Sequence, residues 1–94
     1  MKMISLEKIA IFKKYNGDLD GRTRMADAQE KALVSDDDWR QIERMIQDLY
    51  LVETGLASQN YRAKVDAKLA EACSDATAVD AIKTLAREHH KLHP

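Results

Sequence analysis

Helix breakers are almost missing from this chain: among 94 residues there are three glycines and one proline, Pro94. Both residues disfavour helix interiors, so their scarcity speaks against a fold made of many tight turns and for long helical stretches. Cysteine is nearly absent as well. Cys73 is the only one, which excludes an intramolecular disulfide and a cysteine-built zinc site within one chain. Aromatics make up 5% of the residues, few enough that each is expected to serve the core. No apolar run approaches the ~20 residues of a membrane-spanning helix. The opening residues Met-Lys-Met-Ile-Ser-Leu-Glu-Lys meet charges before any apolar run, unlike a secretory signal, so the chain reads as cytoplasmic.

A dominant charge is missing too. The formal net charge is −1, and no basic stripe suits a phosphate backbone, which disfavours nucleic acid as a partner. The balance is nevertheless uneven along the chain. Residues 1–24 carry six basic and three acidic groups, residues 25–60 three and eight, and residues 61–94 six and five. The middle segment is therefore acidic.

What the chain does have is helix-forming residues, with 45% hydrophobic and 33% charged side chains, the balance of one globular domain with a single modest core. A first helix is expected from about Ser5, its cap, to Tyr15. Leu6, Ile9, Ala10 and Phe12 form its stripe, and Ile11 and Tyr15 lie beside it. A short second helix runs from Thr23 or Arg24 to Leu33, with a thin apolar side of Met25, Ala28, Ala32 and Leu33. The third has the clearest start: Ser35 precedes Asp36, Asp37 and Asp38, whose charges oppose the positive end of the helix dipole, and Ser35 and Asp38 stand at capping-box spacing. Its stripe of Trp39, Ile42, Met45, Ile46, Leu49, Tyr50 and Val52 is broad enough to predict a central position, with Gly55 as the stop. A fourth helix is expected from Ser58 to Cys73, with Tyr61, Val65, Leu69, Ala72 and Cys73 on one side. Ser74 and Asp75 interrupt and recap. A fifth follows from Thr77 to His90, with Val79, Ile82, Leu85, Ala86 and His89 inward. No stretch alternates as a strand does. The expectation is an all-α bundle of four to five helices, one domain over residues 1–94, with the tail from about 91 to 94 frayed.

Four readings of possible sites follow. Asn16, Asp18, Asp20, Gly21 and Asp27 stand at the first, third, fifth, sixth and twelfth positions of a stretch that resembles an EF-hand loop, with Phe12 and Tyr15 where an entering helix often carries aromatics. The resemblance covers residues 12–27 and implies a weak calcium or magnesium site with Asn16, Asp18, Asp20 and Asp27 as ligands. Thr23, Arg24 and Leu19 depart from the pattern, and Asp27 is shorter than the usual glutamate, so the same residues also read as an interhelical turn. Asp36, Asp37 and Asp38 read as helix capping and, in addition, as an acidic contact for a basic protein partner. His89 and His93 are four residues apart, a spacing that suits a metal, though without the order of a metalloprotease motif and at a helix end. Cys73 follows the apolar side of its helix and reads as a buried, inert thiol. No cofactor loop or clustered nucleophile and base is present, so no enzyme and no cofactor are expected. The functional expectation is a non-catalytic protein–protein interaction module, an adaptor, inhibitor or immunity-type protein, acting as a monomer or homodimer. The alternative is a weak calcium- or magnesium-binding module.

Overall fold

Local chemistry at the helix starts sets the architecture. In the computed structural model, which describes residues 3–15 and 27–92, five helices follow one another: α1 Leu6–Lys14, α2 Ala28–Leu33, α3 Asp36–Glu53, α4 Gln59–Ala72 and α5 Ala76–Leu92. The fold is all-α, as expected. Each helix begins on a side chain that accepts backbone N–H groups left without an intrahelical partner. Ser5 accepts from Lys8 N, Asp27 from Gln29 N and Glu30 N, and Ser58 from Tyr61 N. Asp75 accepts from Ala78 N at 3.0 Å. At α3 both halves of the capping box form: Asp38 N donates to Ser35 Oγ at 3.1 Å and Ser35 N to Asp38 Oδ2 at 3.3 Å.

The α3 stop falls where glycine makes it possible. Gly55 has φ 76°, and a methyl group placed on it would meet nothing within 4 Å. Gly55→Ala is therefore expected to destabilise by about 1 kcal/mol, from the left-handed backbone alone. Thermal unfolding checks this, and a neutral result would mean that the turn relaxes.

The molecule measures 41 × 30 × 19 Å, so its thin direction is about two helix diameters. The most extensive helix pairing is α3 with α5; α1 packs on α5 and α3, and α4 joins α3. Phe12, Ile42, Leu49, Leu69 and Ile82 are fully buried at this junction, together with Trp39, whose ring centroid lies 4.4 Å from that of Phe12. The central position of α3 follows from its broad stripe.

Three expectations are corrected. α2 starts at Ala28: Asp27 has extended backbone, φ −79° and ψ 116°, and caps a helix of six residues, while Thr23 and Arg24 lie outside the described residues. On α1, Leu6 and Ala10 are exposed and Ile11 is buried instead, because the helix is covered on the side of Ile9, Ile11 and Phe12. On α5 the buried positions are Ala78, Ile82 and Ala86, while Val79, Leu85 and His89 are half-buried. Alanine at Ala78 and Ala86 lets α5 lie close to its neighbours, and the larger flanking residues reach the edge of the core.

One element has no counterpart in the sequence reading. Ile4, ahead of α1, pairs with Cys73, in the link between α4 and α5, as a single parallel β-bridge. Ile4 N donates to Ala72 O at 2.9 Å, and Ser74 N donates to Ile4 O at 2.8 Å. Ile4 and Cys73 are both buried. The first described residues thus strap onto the link between α4 and α5.

Candidate functional site

The acidic middle of the chain is largely consumed inside the fold. Glu30 pairs with Lys14 of α1 at 2.8 Å, Asp38 with Lys8 of α1 at 2.9 Å, Asp48 with Lys68 of α4 at 3.4 Å and Glu53 with Arg87 of α5 at 3.3 Å. Asp48 also accepts from the hydroxyl of Tyr61 at 3.2 Å. Burial, followed by the charge of Asp48, raises the pKa of that phenol above its ordinary value. The charge difference between segments is thus a record of which helices meet, and much less a docking patch.

This bears on each candidate residue. Asp36 and Asp37 are exposed on the first turn of α3. Asp38 is 3% exposed, turned inward to Lys8 and to the cap at Ser35. An acidic contact with a basic partner would therefore rest on Asp36 and Asp37. Of the four residues in the EF-hand-like pattern, Asn16, Asp18 and Asp20 lie outside the described residues. Asp27 is described, and its Oδ1 accepts from Gln29 N at 2.8 Å, so one of its oxygens is engaged in starting α2. Among the described residues no group of three or more His, Cys, Asp or Glu side chains is placed to hold a metal ion. His93 lies outside the described residues. His89 is half-buried on α5, and His90 meets the ring of Tyr50 edge-on at 4.9 Å. The Cys73 thiol is buried, and burial, with the charge of Asp75 adding to it, pushes its pKa up, which keeps it a thiol rather than a nucleophilic thiolate.

The surface feature that sequence reasoning missed lies between α1 and α5. Leu6, Ile9 and Ala10 of α1 and Ala81 and Leu85 of α5 line a cleft of 260 Å³, with Lys13 at its rim. Leu6 is 50% exposed there although it stands in the apolar stripe of its helix. Lys13 reaches Glu88 of α5 at 3.3 Å, so an ion pair bridges the same two helices. The periodicity of α1 showed an apolar face but carried no information about where its cover would stop. A second group of exposed apolar residues, Tyr50, Leu51 and Leu56, surrounds the end of α3. Leu51 and Leu56 stand at the positions where a glycine-ended helix often carries an apolar pair.

Comparison with known proteins adds no analogy: no protein-family model, no curated protein and no solved structure matches the chain. No helix among the described residues is long and apolar enough to cross a membrane.

Proposed function

We propose that this chain is a non-catalytic protein–protein interaction module of the adaptor, inhibitor or immunity type. The observation that carries the reading is the cleft between α1 and α5, floored by aliphatic side chains and edged by Lys13, with Leu6 half-exposed at its lip. A groove between two helices with an apolar floor suits the apolar side of a partner helix, the recognition mode in which spaced aliphatic anchors supply the affinity. Exposed Asp36 and Asp37 supply charge that steers a basic partner toward the same molecule. The buried, protonated thiol and the internal pairing of the acids support a binding role over a catalytic one.

The test is affinity capture from the native cell with three baits: wild type, Leu6→Asp and Asp36→Ala/Asp37→Ala. Helical content of each bait is checked by circular dichroism. Leu6→Asp is expected to weaken retention of a partner by about tenfold or more, the effect of losing one interface anchor. The double variant is expected mainly to slow association and to reduce its salt dependence. A partner retained equally by all three baits, or none retained by wild type, would sink this reading.

A further inference from the structure

We propose that α2 is a detachable strap on α1, latched by the carboxylate of Glu30 and hinged at Val34. Five of its six residues are exposed and none is buried. A helix that short is far below the length at which helices persist alone in water, so it requires support from outside. Glu30 is the one half-buried residue, and the support is visible there. One carboxylate oxygen accepts from Lys14 Nζ at 2.8 Å and the other from the hydroxyl of Tyr15. Both donors sit at the end of α1, so one side chain ties the two helices together. Immediately after α2, Val34 is 0% exposed and Ser35 caps α3. Motion of α2 therefore ends at Val34, in the core.

The packing beneath α2 agrees with a latch. A cleft of 360 Å³ lies between the two helices, lined by Ala10, Ile11 and Lys14 from α1 and Glu30 and Leu33 from α2, so α2 spans α1 without sealing against it. Ala10 also lines the α1–α5 cleft. Release of α2 would uncover Ala10 and Ile11, flanked by Glu7 and Lys14, beside the α1–α5 cleft.

The charges around the latch fix its pH behaviour. The hydrogen bond from Lys14, then that from Tyr15, holds the Glu30 carboxyl below its ordinary pKa, while the nearby Asp27 charge opposes this. Glu7 lines the same cleft. A carboxyl with a lowered folded-state pKa stabilises docking above the ordinary glutamate range. That contribution is lost as pH falls through the lowered value.

The experiment is an NMR comparison of full-length wild type, Glu30→Gln and Tyr15→Phe at neutral pH, reading carbon-13 secondary shifts helix by helix. Glu30→Gln keeps the size of the side chain and removes its charge. The helical shifts of Ala28–Leu33 are expected to fall by about half or more, with a smaller fall in Tyr15→Phe, while α3 and α5 keep theirs. Unchanged α2 shifts in both variants would overturn the latch. A uniform loss across α2, α3 and α5 would also overturn it, because α2 would then belong to the cooperative core.

Discussion

Replacing Phe12 with alanine is expected to remove about 3–5 kcal/mol of folding stability, the usual range for a fully buried phenylalanine. Phe12 is 1% exposed, and its ring sits 4.4 Å from that of Trp39 with the planes at 46°. The pair joins α1 to α3, so the deletion would leave a cavity at the junction of two helices. Tilted aromatic pairs contribute about 0.5–1.5 kcal/mol beyond the area they bury, which places this site toward the upper part of the range. A domain of this size has roughly 5–15 kcal/mol in total, so the variant would lose about a fifth of that or more. At about 4–8 °C per kcal/mol, the midpoint of thermal unfolding should fall by roughly 12 °C or more. Trp39 is the only tryptophan, and its burial makes its emission a direct report on this contact. Denaturant unfolding followed by that emission checks the value, and a loss below about 1 kcal/mol would mean that the cavity collapses almost completely.

The second large effect is expected at Ile4. Ile4→Ala should destabilise by about 2–4 kcal/mol, since the side chain is 0% exposed and its removal empties a site between the ends of α4 and α5. Ile4→Pro should go further. Proline cannot donate to Ala72 O, so a buried carbonyl would be left without its 2.9 Å partner at an added cost of about 1–3 kcal/mol. The order wild type, alanine, proline in denaturant midpoint is the measurement. Equal midpoints for alanine and proline would show that the backbone pair contributes nothing beyond side-chain burial.

How much of this could be read in advance depended on how local the cause was. Ser35, Ser58 and Gly55 were legible because capping and left-handed backbone involve residues a few positions apart. The buried faces of α3 and α4 were legible because 3.6-residue periodicity survives in sequence, although Tyr50, expected in the α3 stripe, is exposed at its edge. Ile4 with Cys73 and Lys8 with Asp38 were not, because both pairings join distant parts of the chain and nothing local marks either partner. Leu6 shows the limit differently. Its stripe was visible, but an apolar stripe reads the same whether a neighbour covers it or stops short. For the candidate sites, Asp38 looked like its two neighbours in sequence. Only the approach of Lys8 separates it from them.

The Ile4 strap also sets an order of events in time. During synthesis Ile4 appears roughly seventy residues before its partner Cys73, a delay of about 3–14 s at ordinary elongation rates. Throughout that interval α1 can form, but the residue ahead of it has nothing to pair with. The closure therefore joins the segment ahead of α1 to the link ahead of α5, and it can form no earlier than the end of α4. Pairings of this span slow folding, because their loop entropy must be overcome before the contact gives anything back. A nascent chain halted before Cys73 would hold helices but no fastened bundle.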